Sequence, residues 1–348
     1  MEQMDRRDFM KTVAVGGATF SLASALWPEP LKAGPGGQAD IGLCKQVKVT
    51  CVSEVGWWDT RKLIREIMKG GGPRKCDQWA AAWDPANGAG SSSLIEVTLL
   101  NGQVKRILLD TGWNPAYMTW RYQMTGVDKL LKENKIDYFV ISHEHLDHFW
   151  GLEATLRLNP KVTMVIPETF QPQAKQFMAG ADFKKANAKN AVRHQGKLLA
   201  MKRTGVHKLF DGAGLSVFDI PILLKIRGEQ SLYFNVKDKG LVLVTGCCHQ
   251  TILKYADFAQ KNVKGGDNMY GLYGGLHIAP FGALQPKQAA WIRGMAKYKF
   301  RKVASNHCTG LPAVAYMKKL GYPVVGGQGR QGSMSQLYVG NSDSVTFG

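Results

Sequence analysis

The sequence predicts an α/β protein in which two mixed sheets pack face to face with helices on the outside. Three observations carry that reading. The 348 residues divide into two strand-rich halves, each with helical segments of its own. Sheets of this kind bury one face on each other and cover the other with helices. Strand-length apolar runs alternate with turn signals in both halves. Finally, histidines fall just beyond predicted strand ends, at 143–148, 249, 277 and 307. Active-site groups commonly gather on loops at one edge of a rigid sheet.

Taken in order, residues 28–40 (PEPLKAGPGGQAD) read as a linker. KQVKVTCVSEVG has the β-branched character of a first strand. DTRKLIREIMKG is a short helical pattern that stops at GGGP, residues 70–73, and a loop follows to residue 92. Two apolar runs flank Asn101-Gly102, a hairpin signal, and the second leads into Asp110-Thr111-Gly112. GVDKLLKENK is helical, IDYFVISHEHLDH is a buried strand ending at histidines, and HFWGLEATLRLN is the next helix. KVTMVIPE is a strand, and the polar, basic residues 170–208 are expected to be helical with loops. GLSVFDIPIL, QSLYFNVKDKG and LVLVTGCCH form a strand series. Helix QTILKYADFAQKN, strand NMYGLYGGLHI, helix PKQAAWIRGMAKYK, strand KVASNHCTG and helix PAVAYMKKLG complete the chain before a strand-like tail.

Composition is that of a soluble globular protein, 45% hydrophobic and 21% charged. The net charge is +18. Residues 1–34 contribute nothing net, because Arg6, Arg7, Lys11 and Lys32 balance Glu2, Asp5, Asp8 and Glu29. Such a field favours an anionic small-molecule substrate, or serves solubility alone. No helix-turn-helix, zinc-finger or aromatic-basic pattern occurs, so nucleic acid is not an expected partner. MDRRDFMK followed by the mild apolar run from Thr12 to Trp27 resembles a twin-arginine signal peptide, with Asp5 where Ser or Thr is commoner. This predicts use of the twin-arginine export machinery, a periplasmic or exported location, and no stable membrane span in the mature protein. Cleavage regions are ASA at 23–25 and LKA at 31–33. The six cysteines include no CxxC pair, which argues against a zinc ribbon. An oxidising compartment would permit one disulfide among Cys44, Cys51 and Cys76.

The strongest signal is VISHEHLDHFWG, residues 140–151. It places three of the eight histidines and an aspartate within six positions: His143, His145, Asp147 and His148. Past a strand end, neutral imidazoles and a carboxylate at this spacing suit borderline divalent metals such as zinc. Two adjacent ions can activate water and clamp an oxygen that gains charge.

SHEHLDH matches the HxHxDH signature of the metallo-β-lactamase superfamily, and LLDTG at 108–112 resembles its earlier Asp motif. GLVLVTGCCH (240–249), YGGLHI (273–278), NHCTG (306–310) and EQSL (229–232) resemble the branch typed by dihydropterin–ribofuranosylaminobenzene-phosphate synthases. The resemblance implies an αβ/βα sandwich over residues 46–345, after a signal and linker at 1–34. It implies two divalent ions, zinc first, with iron or manganese as alternatives. The metal ligands carried over are His143, His145, Asp147, His148, His249 and His307. Asp110 would support the metal loop from behind. His249 stands in for a Gly-rich third-histidine motif that this sequence lacks, since neither His194 nor His207 has a comparable setting. Cys247 falls at the usual bridging-Asp position and is read as packing, with thiolate ligation as the alternative. Asp147 and His277 are the candidate catalytic residues, His277 as a proton shuttle, a ligand or a substrate contact. Basic residues between 184 and 203 are candidate contacts for an anionic substrate.

Three functions follow. The first is a hydrolase that uses metal-bound hydroxide on an ester, phosphoester, lactone or lactam. The second is a transferase like the branch's type enzyme. The third is a non-catalytic metal- or ligand-binding protein.

Overall fold

The computed structural model describes residues 30–32, 37–202 and 205–348. The predicted signal segment, but for residues 30–32, lies outside them. In chain order the elements are β1 (Cys44–Ser53), α1 (Thr60–Lys69), β2 (Ser92–Leu99), β3 (Val104–Leu109), α2 (Pro115–Thr125), α3 (Val127–Lys132), β4 (Tyr138–Val140), α4 (Leu146–Phe149), α5 (Leu152–Leu158) and β5 (Met164–Pro167). Then come α6 (Pro172–Met178), β6 (Asp182–Phe183), β7 (Ala188–Lys189), β8 (Leu198–Met201), β9 (His207–Phe210), β10 (Ala213–Pro221), β11 (Arg227–Val236) and β12 (Gly240–Thr245). The chain finishes with α7 (Ile252–Asn262), β13 (Met269–Gly275), α8 (Pro286–Gly294), β14 (Lys302–Asn306), α9 (Leu311–Lys319) and β15 (Ser344–Phe347).

Alternation of side chains along each strand builds the layers. In the first half, Val47, Val49, Ile95, Val97, Ile107, Leu109, Val140 and Val165 point one way. Their neighbours Val52, Leu94, Leu108, Phe139, Met164 and Ile166 point the other, under the first set of helices. In the second half, Leu232, Phe234, Val242, Val244, Tyr273 and Ala304 join the first set in a shared inter-sheet core. Tyr233, Leu241, Leu243, Leu272 and Val303 pack beneath α7, α8 and α9. The result is helix, sheet, sheet, helix, as the sequence predicts.

Strands β1, β2 and β3 pair antiparallel, whereas β3, β4, β5 and β8 run parallel. In the second half β9, β10, β11 and β12 are antiparallel, and β12, β13 and β14 are parallel. One parallel bridge, Cys44 to Val236, links the halves along the hydrogen-bonded path, and β15 returns antiparallel to β1.

Two expectations fail. Residues 170–208 contain α6 and a single 3-10 turn at Lys184–Ala186, but their other described residues form short strands and loop rather than helix. Polar composition concealed β8, whose four residues are buried because each face meets a different core. Helix α2, unforeseen, begins at Asn114, whose side chain caps the N–H groups of Ala116 and Tyr117. All six cysteines are buried and free, so none of Cys44, Cys51 and Cys76 is paired.

Candidate metal centre

Five strands deliver the candidate residues to one sheet edge. Asp110 follows β3, His143 to His148 follow β4, Cys247 to His249 follow β12, His277 follows β13, and His307 follows β14. Asp110 (φ 61°), Cys248 (61°), His277 (49°) and His307 (53°) all adopt the left-handed conformation. Each costs about 1–3 kcal/mol outside glycine, and such strain concentrates at functional sites. Two glycines make room. A Cβ on Gly56 would lie 2.8 Å from Asp147 Oδ2 and 2.9 Å from His307 Cε1. One on Gly246 would lie 2.1 Å from Ser142 Oγ.

The hydrogen bonds determine which ring nitrogens face inward. His145 Nε2 lies 2.9 Å from the Leu223 carbonyl and His307 Nδ1 lies 2.9 Å from the Glu54 carbonyl. Carbonyls only accept, so those nitrogens carry the protons. His148 Nδ1 donates to Asp110 Oδ2 at 2.7 Å, and His249 Nδ1 donates to Glu229 Oε1 at 3.1 Å. Ser142 Oγ donates to Asp110 Oδ2 at 2.9 Å, which leaves it to accept from His143 Nδ1 at 2.8 Å. When the rings are neutral, the nitrogens left without a proton are therefore His143 Nε2, His145 Nδ1, His148 Nε2, His249 Nε2 and His307 Nε2. His143 Nε2 and His145 Nδ1 are 3.0 Å apart, as are His148 Nε2 and His307 Nε2. Facing lone pairs at this distance repel unless a cation lies among them.

The inward atoms form two groups, each spanning less than 4.8 Å: His143, His145 and His249, and Asp147, His148 and His307. Cys247 joins His143 and His148 in one set and His307 and Cys308 in another, with Sγ 3.1 Å from His148 Nε2. It therefore faces the cluster between the two groups. This donor chemistry of imidazole, carboxylate and thiol fits divalent zinc-type ions.

The electrostatics divide the rings: Glu229 raises His249 against the effect of burial, while others are held neutral. Burial, with the neighbouring imidazoles, holds His143 and His277 well below the usual histidine value, and burial and His249 hold His145 at about 3. Burial would lower His307, but its contact with Asp147 (Nε2 to Oδ2, 3.3 Å) outweighs this and raises it to about 9. A proton on His307 Nε2 thus stands where a metal would. Burial would raise Asp147, yet His148 and His307 hold it below the ordinary carboxylate range.

Every predicted ligand lies in the cluster. His277 sits beside His249, ring centres 4.5 Å apart. His194 and His207 bond the carbonyls of Val162 and Lys202 instead. Lys184, Lys185, Lys189, Arg193, Lys197 and Lys202 are not among the residues that line the two cavities at the cluster, and Arg203 lies outside the described residues.

Residues whose roles the sequence did not show are Glu229, Gln230, Ser142, Glu54 and Tyr255. Glu229 accepts from the backbone N–H groups of Cys248 and His249, each at 2.8 Å, and from the Tyr255 hydroxyl. Burial opposes its charge, but His249 and these hydrogen bonds hold it near 2. Gln230 Nε2 donates to the Ile141 carbonyl at 2.6 Å, tying the second sheet to the loop that carries His143. The EQSL motif was the available signal, but its roles required the fold.

The fold and site define an αβ/βα sandwich whose sheet edge carries side chains able to hold metal ions. The family model for the metallo-beta-lactamase superfamily matches residues 87–217, which include the HxHxDH motif. A solved metal-dependent hydrolase of the β-lactamase superfamily superposes with a TM-score of 0.50 at 15% identity, covering 87% of this chain and 98% of that one. Over those residues the chain is similar to the metallo-β-lactamase superfamily, and its fold is that of the solved hydrolase. It is also similar to the 7,8-dihydropterin-6-methyl-4-(beta-D-ribofuranosyl)-aminobenzene-5'-phosphate synthase of Methanocaldococcus jannaschii. The two are 24% identical over 250 residues, 64% of this chain and 82% of the synthase.

Proposed function

We propose that the protein is a metal-dependent hydrolase of a small molecule. The observation that carries this is the set of five buried imidazoles, each tied by one nitrogen and aiming the other at a common centre. His143, His145 and His249 would hold one divalent ion, and Asp147, His148 and His307 a second, with Cys247 between them. Zinc is the proposed metal. When bound, such ions supply Lewis-acid polarisation and a water acidic enough to react near neutral pH.

The chain's own groups do the rest. Asp110, Glu229, Ser142 and the carbonyls of Leu223 and Glu54 lock five rings, so little reorganisation remains for the reaction. Asp147 keeps its charge and can accept a proton from a water oriented at the cluster. His277 stays neutral because burial and His249 oppose its charge. It lines a cleft of about 50 Å³ with Asp147, His145 and His307, and can exchange a proton with substrate there. The other walls are Trp57, Leu63, Ile67, Leu146, Leu223, Leu224 and Phe281, so apolar substrate groups suit the mouth better than anionic ones.

A transferase reading is favoured by the synthase relative. The location proposed is periplasmic, resting on Arg6-Arg7 and the apolar run that follows.

The test is elemental analysis of freshly isolated protein beside Asp147→Ala, with screens of phosphoesters, lactones and lactams. About two metals in wild type, fewer in the variant, and metal-dependent hydrolysis are expected. Metal well below one per chain, unchanged by the variant, would remove the catalytic account. Full metal without hydrolysis, but with condensation of a dihydropterin diphosphate and an aminobenzene, would favour the transferase.

A further inference from the structure

A second cavity of about 150 Å³ adjoins the cluster. His307 and Cys308 line both it and the cleft at Asp147, and Trp57 stands between the two. Its other walls include Trp58, Met334, Tyr338, Leu311 and Pro280. No Lys, Arg, Asp or Glu lines it.

The walls are held in place. Trp57 Nε1 donates to Thr60 Oγ1 at 3.1 Å, and its ring meets His307 edge-on, centres 6.2 Å apart. Trp58 packs at right angles on Tyr117, centres 5.2 Å apart, and remains 52% exposed. The far wall, residues 332–338, is fastened from behind. Buried Glu54 accepts from Met334 N at 2.6 Å and from the Tyr338 hydroxyl at 3.2 Å. Buried Arg121 donates to Gln331 Oε1 at 3.0 Å and to Ser342 Oγ at 2.7 Å.

From this geometry we infer that the cavity binds a neutral aromatic ring of the substrate, seated between Trp57, Trp58 and Met334 beside the reacting centre. A cavity of about 150 Å³ has room for one benzene-sized ring. Indole faces and a thioether both favour aromatic over aliphatic occupants. The walls offer no carboxylate, ammonium or guanidinium to pair with an ionised ring. The assignment of the ring to substrate rests on the hydrolase reading of the cluster, but ring binding itself does not.

The experiment titrates full-length, metal-loaded protein with benzyl alcohol and with cyclohexylmethanol, read by tryptophan fluorescence and by saturation-transfer NMR. Trp58→Ala removes one wall. Met334→Trp fills the space from a residue that is 56% exposed, and retains the backbone N–H that Glu54 holds. Saturable benzyl alcohol binding is expected, at least tenfold tighter than cyclohexylmethanol and at least tenfold weaker in each variant. Asp147→Ala should retain it, since this wall does not depend on that carboxylate. Wild-type protein that binds benzyl alcohol but shows no metal-dependent hydrolysis would count against the hydrolase reading alone. No saturable binding, equal affinity for the two alcohols, or unchanged affinity in both wall variants would overturn the aromatic site.

Discussion

Asp110→Asn tests the central argument, that second partners decide which histidine nitrogen can ligate. Asp110 accepts from Ser142 N (2.7 Å) through Oδ1, and from Ser142 Oγ (2.9 Å) and His148 Nδ1 (2.7 Å) through Oδ2. Asparagine tolerates the left-handed φ of 61° and keeps the Oδ1 acceptor, so the backbone is spared. At Oδ2 the variant places an N–H₂ donor against two donors. His148 must then accept at Nδ1, which moves its proton to Nε2, the atom that faces His307. A protonated nitrogen cannot bind metal. Hydrogen bonds to a charged partner contribute about 1.5–3 kcal/mol each, and Asn–His148 pairing recovers part of the two lost. A net destabilisation of about 2–3 kcal/mol is expected, measurable by urea unfolding. Metal affinity should fall about 10–100-fold, as for other carboxylates behind a ligating histidine. Competition titration with a zinc chelator reads the affinity, and elemental analysis reads the stoichiometry. Affinity within threefold of wild type, at full stoichiometry, would refute the tautomer argument.

Other predictions follow from the same geometry. His307 titrates near 9 and must lose its proton to ligate, so log affinity for zinc should rise about one unit per pH unit between 7 and 9; proton release measured on binding checks it, and a flat profile counts against it. Gly56→Ala pushes a methyl against Asp147 and His307, and should cost about 1–3 kcal/mol in stability and preferentially weaken the second metal; isothermal titration resolves the two sites. Burial raises Glu144 to about 8, so the folded state holds a proton that the unfolded state releases near 4.5. Its stabilising contribution is full below about 4.5 and is lost as pH rises toward 8, at about 1.4 kcal/mol per unit. Glu144→Gln should therefore flatten the pH dependence of urea stability between 5.5 and 7.5 by about 3 kcal/mol, and parallel curves for the two proteins would contradict this.

How far the sequence reached depended on how local the signal was. HxHxDH is legible because four ligand-type side chains fall within six positions, just past a short strand ending at Val140 and into a one-turn helix, Leu146–Phe149. Strand alternation and the Asn101-Gly102 turn are equally local. The reading of 170–208 as helical failed because a polar composition says little about β8, whose burial on both faces comes from elements far along the chain.

By itself the sequence determined the strand and helix periods, the layered class that follows from them, and the residue types able to hold metal at each strand end. Those depend on neighbours within a few positions. Only the tertiary structure decided that His249 completes the group of His143 and His145, that Cys247 faces inward, and that Glu229 rather than a local motif holds His249. It also decided which nitrogen of each ring is free. The physical reason is that these outcomes are set by acceptors up to 253 residues away, as with His307 and the Glu54 carbonyl, and only the packing of the two halves on a shared core brings such partners within 3 Å.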